Sequence, residues 1–214
     1  MRPFATILAV VAISTGALAV RAEDWPMFRG PTGQGLSSER GLPLRWSADS
    51  NMVWHTAIPG EGWSSPVIVG QRVFVTAATD GGKTLRAICL SADTGRVLWD
   101  EVALSQTQNR REERNSWATC TPAVDVRALY VLSFNGHFVA LNHAGAKLWT
   151  NQEVNFYGQH GLATSLVLFE DLVIAAFDGS SDGDDKQVGW QKPWDKAEIL
   201  AVDRQTGQTR WRGS

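Results

Sequence analysis

From Ser64 onward the chain alternates short apolar runs with turn residues: Pro66–Val69, Arg72–Ala77, Ala87–Leu90 and Val97–Trp99 open the series. The runs are rich in Val, Ile, Leu and Phe and are broken by Gly, Asp and Asn, which is the pattern of strands joined by tight turns. Pro66 and Pro122 stand at the start of a run, where a missing N–H is tolerated in a sheet. No stretch of this region sustains a helical period. The expectation is an all-β chain.

The runs repeat. One copy closes on Thr94-Gly95-Arg96-Val97-Leu98-Trp99, the next on Gly145-Ala146-Lys147-Leu148-Trp149, and the third on Thr206-Gly207-Gln208-Thr209-Arg210-Trp211. In each copy the closing Gly stands four residues before the closing Trp. Each copy reads as four short antiparallel strands, the size of a β-propeller blade. A sandwich would not place the same Gly and Trp at equivalent points of successive sheets. The blades are expected at about 64–103, 118–153 and 163–212. Ahead of them, Asn51–Thr56 carries Trp54 with no blade before it, and reads as a strand that completes a last blade. Propellers use about 4 to 8 blades. Three blades plus one closing strand therefore predict an incomplete ring, the first part of a longer propeller or else an assembly that closes between chains.

Composition narrows the function classes. The 20 Lys+Arg against 22 Asp+Glu leave a net charge of −2, which excludes a basic nucleic-acid binder. The 43% hydrophobic content excludes a disordered chain. Ten Trp point to one structural role filled several times. Residues 1–22 have the layout of a secretory signal peptide: Arg2, an apolar stretch from Phe4 to Ile13, then Ala17, Ala19 and Ala22. Export to the periplasm or outside the cell follows, with 23–50 as an N-terminal extended segment. No second apolar stretch approaches membrane-spanning length.

The third copy contains Ala201-x-Asp203-x-x-Thr206-Gly207-x-x-x-Trp211, and the first keeps Thr94, Gly95 and Trp99 with Cys89 at the Ala position. The second, one residue shorter, fills the roles with Ala140, Asn142, Gly145 and Trp149. This resembles the repeat of the pyrroloquinoline-quinone (PQQ) binding-like β-propeller family over about residues 51–212, and Asp24–Pro31 looks like the mature start of exported members. The resemblance implies fold rather than activity. It implies that Trp54, Trp99, Trp149 and Trp211 are scaffold, each indole packing on a small residue of the neighbouring blade. Some relatives act in outer-membrane protein assembly. Quinoprotein dehydrogenases clamp PQQ with a vicinal disulfide, a stacking Trp and a Ca²⁺ near a catalytic Asp. Cys89 and Cys120 stand too far apart in sequence to be vicinal, and are read as buried free thiols.

The longer connections, Asp100–Thr119, Asn151–Ala163 and Gly179–Ala197, all emerge at one end of the blades, while the other end has tight turns such as Gly70-Gln71 and Glu170-Asp171. The elaborated end is the candidate surface. It carries a charged run, Asn109–Asn115, read as a solvated loop, and His160 between glycines. It also carries an acidic insertion whose Asp178, Asp182, Asp184 and Asp185 are weak Ca²⁺ candidates. Trp190 and Trp194 follow it and, with His160, are weak partner-binding candidates. These readings predict a non-catalytic exported propeller that binds or scaffolds protein partners, with no catalytic residue and no cofactor assigned. The alternatives are a PQQ- and Ca²⁺-dependent oxidoreductase and a carbohydrate-binding propeller.

Overall fold

Three four-stranded antiparallel sheets succeed one another along the chain in a computed structural model that describes residues 23–107, 111–158, 160–179, 191 and 196–214. The first blade holds β1 (Val67–Val69), β2 (Arg72–Thr79), β3 (Thr84–Ser91) and β4 (Val97–Ser105). The second holds β5 (Ala123–Val124), β6 (Ala128–Leu132), β7 (Phe138–Asn142) and β8 (Lys147–Asn151). The third holds β9 (Val167–Phe169), β10 (Leu172–Gly179), β11 (Lys196–Asp203) and β12 (Thr209–Gly213). Strands pair in chain order within each sheet, and the first described strand of each blade is short. The chain is a β-propeller of four-stranded blades.

The cores lie between sheets. Alternate residues of a strand face opposite sides, so Phe74, Ala78, Leu85 and Cys89 of the first blade meet Val124, Leu129, Val139 and Leu141 of the second. The opposite face of the second blade, with Tyr130, Leu132, Phe138 and Ala140, meets Val173, Ala175, Phe177 and Leu200 of the third. A smaller cluster of Val73, Ala77, Ile88 and Leu90 lies on the other face of the first blade, covered by Trp54 and Ile58. Residues 51–57, around Trp54, pair with no strand among the described residues.

Two boundaries differ from the sequence reading. The first long connection starts at Gln106 and not at Asp100, because β4 follows the full length of β3 out to the Thr84↔Ser105 pair. The inner strand of the second blade starts at Ala123 and not directly at Pro122, where the sequence run begins. The N-terminal segment has a specific place. Trp25 exchanges backbone hydrogen bonds with Ile68 of β1 at 2.9 and 2.8 Å, and the Pro26 carbonyl accepts from Val124 of β5 at 2.8 Å. Asp24 accepts from the Gly70 N–H, and Met27 packs on the core between the second and third blades. Residues 24–27 thus run across the inner strands of successive blades.

Candidate functional site

The repeated indole is a joint between blades. The Trp99 ring N–H donates to the His143 carbonyl of the next blade at 2.9 Å, and Trp149 donates to Arg204 at 3.1 Å. Trp54 does the same to Ala92 of the first blade at 2.7 Å. Each ring lies on the closing glycine of that blade, Gly145, Gly207 and Gly95 respectively, where a Cβ would crowd or overlap the indole. Gly207 needs its residue type twice over, because its φ of 73° is also left-handed. The residue two beyond the Trp adds a second hold. Asn151 Nδ2 donates to the Gly207 carbonyl at 2.8 Å, and Thr56 Oγ1 to that of Gly95 at 2.6 Å.

Opposite each indole stands a small buried residue of the adjacent strand: Cys89↔Trp99, Ala140↔Trp149 and Ala201↔Trp211. The register shifts just after that residue in all three blades, a bulge that re-aims the outer strand. The Asp position of the repeat organises the outer turn. Asp203 Oδ1 accepts the N–H groups of Gln205 and Thr206 and the Thr206 hydroxyl, and Arg210 sits 2.7 Å from Oδ2. The Thr206 N–H, ahead of the other donors, holds the Asp203 carboxyl below its usual range. Asn142 plays the same part toward Ala144 and Ala146.

The end of the blades that carries the long connections is bound together by side chains. Gln106, 7% exposed, is the hub. Its Nε2 donates to the carbonyls of Gly82 and Trp117 at 2.9 Å each, and its Oε1 accepts from Phe134 N–H at 3.1 Å. One amide therefore ties together the β2–β3 turn, the β4–β5 connection and the β6–β7 turn. Asn135 accepts from the Thr107 N–H through Oδ1 at 2.8 Å and from Phe156 N–H through its carbonyl at 2.7 Å. Asn115 Nδ2 reaches the His160 carbonyl at 2.7 Å, joining the β4–β5 and β8–β9 connections. Thr121 accepts from Ser65 and Leu166 N–H groups on either side.

The charged run does not behave as a solvated loop throughout. The Arg111 guanidinium lies 4.1 Å from the Trp117 ring centroid and 3.6 Å from Glu61, and donates to backbone carbonyls of its own loop. A guanidinium over an indole trades hydration for the ring's negative face, so Arg111 folds inward while Glu113 and Arg114 stay exposed. Asn109 and Arg110 lie outside the described residues. Trp117 packs on Gly82 beneath this cation. Gln106, Arg111, Trp117 and Asn135 escaped the sequence reading because their role depends on which turns meet. The Gln and Asn side chains carry no periodic signal.

His160 is exposed in its turn and lines a cavity of about 380 Å³ with Phe156, Thr164, Ala176 and Asp178. The cavity thus brings together two of the singled-out residues, an imidazole and a carboxylate. Asp182, Asp184, Asp185, Trp190 and Trp194 lie outside the described residues. Among the described residues, no group of three His, Cys, Asp or Glu side chains is placed to hold a metal ion.

Both cysteines are free and buried, in separate cores: Cys89 between the first and second blades, Cys120 between the second and third. Burial raises the Cys89 thiol to about 11 and the Cys120 thiol to about 12, so neither is a thiolate at neutral pH. They do not form the vicinal disulfide that a quinone clamp uses. Trp117, with Gly82 on its ring and Arg111 over it, is already engaged within the protein. The two cysteines do not fit the disulfide clamp of a PQQ site of that type.

Comparison with known proteins agrees with the fold. The quinohemoprotein alcohol dehydrogenase from Comamonas testosteroni superposes with a TM-score of 0.56 at 19% identity, covering 92% of this chain and 28% of that one. The outer-membrane assembly protein BamB from Moraxella catarrhalis gives a TM-score of 0.45 at 16% identity, over 74% of this chain and 54% of that one. A europium-containing methanol dehydrogenase gives 0.48 at 16% identity, over 69% and 24%. The chain thus spans between about a quarter and a half of these solved structures. No curated protein matches the sequence. Among the described residues no helix is long and apolar enough to cross a membrane. The sequence matches the family described as outer membrane protein assembly factor BamB over residues 36–99 and 80–213. With its recurrent indole-on-glycine joint, the chain belongs to that family of PQQ-type repeat propellers.

Proposed function

We propose that this chain is an exported, non-catalytic propeller module whose loop-bearing end docks a protein partner. The carrying observation is the way that end is built. Gln106, Asn115, Asn135 and Thr121 hydrogen-bond to neighbouring loops, and Arg111 sits 3.6 Å from Glu61 ahead of the first blade. The result is a preformed surface that presents Glu113, Arg114 and His160 outward. A surface ordered before contact loses little entropy on binding. The family description, an assembly factor, supports a protein partner. Export rests on the signal-like segment at residues 1–22, which lies outside the described residues.

Photo-crosslinking groups placed at Glu113 and, as a control, at Glu170 in the β9–β10 turn test the docking face. Adducts that form in the cell envelope from Glu113 and not from Glu170 support it; equal labelling from both overturns it. The oxidoreductase reading is tested by titrating the purified protein with PQQ and Ca²⁺. Saturable binding with dye-linked turnover would replace the docking reading with catalysis. The carbohydrate reading rests on Trp190 and Trp194, and loss of glycan-array signal in Trp194→Ala would favour it.

A further inference from the structure

The backbone nitrogen of Glu23 is gripped by a distant loop. Glu39 Oε1 accepts from it at 2.6 Å, shorter than the about 2.9–3.0 Å of an ordinary N–H···O bond. The grip is reciprocal. The Glu23 carboxylate accepts from the Ser37 hydroxyl at 2.9 Å and from the Ser38 N–H at 3.1 Å, and the Glu39 N–H donates to Ser37 Oγ at 3.1 Å. Residues 37–39 thus hold both the main chain and the side chain of one residue. Among the described residues no ion pair involves Glu23 or Glu39, so this half-buried pair of carboxylates has no side-chain cation.

A positive charge on the Glu23 nitrogen would complete the arrangement. An amide offers Glu39 one neutral donor, whereas an α-ammonium offers three donors and the missing charge, and hydrogen bonds between ionised groups are roughly twice as strong as neutral ones. Ala19 and Ala22 are both small enough to precede a signal-peptide cleavage. Cleavage after Ala19 leaves Val20-Arg21-Ala22 attached and the Glu23 nitrogen an amide. Hydrolysis of the Ala22–Glu23 bond consumes one water and leaves a carboxylate on Ala22 and an α-ammonium on Glu23. The residues next in line carry the chain across the blades. Asp24 accepts from the Gly70 N–H at 2.8 Å, the Trp25 carbonyl from Ile68 at 2.8 Å and the Pro26 carbonyl from Val124 at 2.8 Å.

We propose that Glu39 captures the α-ammonium that removal of residues 1–22 creates at Glu23, and that this capture locks residues 24–27 across the inner strands of the first two blades. Processing and the tying of one blade to the next are then a single event. The inference rests on the export reading and is independent of the loop-end docking surface.

Expression of the full 214-residue sequence in a Gram-negative host, with intact mass and N-terminal sequencing of the periplasmic product, reads the cleavage site. A chain beginning at Glu23 is expected. Any other processed start, Val20 included, overturns the proposal and leaves export intact; a chain still beginning at Met1 overturns both. Amide exchange at Ile68, Gly70 and Val124 in the purified mature chain then reads the lock. Selective acetylation of the α-amine should speed exchange at these three amides roughly fivefold, the difference between a charge-assisted and a neutral hydrogen bond. Glu39→Gln, which keeps an acceptor and removes the charge, should do the same, and acetylating that variant should add nothing further. Unchanged exchange at the three amides, or an equal effect of acetylation with and without the Glu39 charge, overturns the capture.

Discussion

The second and third blades share a repeat but differ in environment. Every residue of β6, Ala128–Leu132, is buried, because the second blade has a sheet on each side. In β10 only alternate positions are: Val173, Ala175 and Phe177 are buried, while Leu172, Ile174 and Ala176 face a side that no described residue covers. The indoles follow suit. Trp149 is half-buried on Gly207, whereas Trp211 is 43% exposed, and Val167, Phe169 and Ile199 of the same blade are each more than 40% exposed. A strand with an apolar run on both faces is designed for two neighbours. The lesson is that the repeat encodes a pairwise joint: an indole is seated where a glycine turn of the adjoining blade receives it.

Substitutions at the joint should separate the two environments. The largest effect is expected at the filled joint. Trp149→Ala should lower unfolding free energy by about 3 kcal/mol in urea titration, near the low end for an aromatic truncation because the ring is only half-buried. If it costs no more than Trp211→Ala, the joint is not the stabilising unit. Gln106→Leu should follow at about 2 kcal/mol, since it leaves the Phe134 N–H and the Gly82 and Trp117 carbonyls short of a partner. Faster amide exchange in residues 133–137 would localise the loss. Gly207→Ala should cost a similar about 2 kcal/mol, from left-handed backbone strain and overlap with Trp149.

Trp211→Ala should change the urea midpoint by less than about 0.5 kcal/mol worth of stability, as for other surface changes. The smallest effect belongs to pH. Asp203 has a lowered folded-state pKa, so its contribution is fully present above the ordinary value of 3.8 and is lost as pH falls below it. The stability difference between the wild type and Asp203→Asn should therefore shrink on acidification. A difference that grows instead would show that Asp203 is destabilising when charged.

The blades were legible because their signals are local or periodic. Gly95, Gly145 and Gly207 announce turns, and the Trp four residues later marks an outer strand. The loop-bearing end was legible only as an inventory of long segments. Arg111 looked like one charge in a solvated run, and its seat on Trp117 depends on a turn from another pair of strands. Gln106 gave no signal at all, since a lone Gln acquires meaning only when Gly82, Trp117 and Phe134 converge on it. The role of Asp24–Met27 across the inner strands was likewise invisible, because one bridging segment has no repeat to betray it.

Sequence by itself determined the all-β character, the blade count within this stretch and the identity of the joint residues. Those properties rest on backbone preferences and on a spacing of four residues, which are set within a few bonds. Tertiary structure decided which joints are filled, which apolar faces are covered, and which polar side chains bind the loops into one surface. Those depend on neighbours distant in the chain, and burial and hydrogen bonding have no value until the partner is in place.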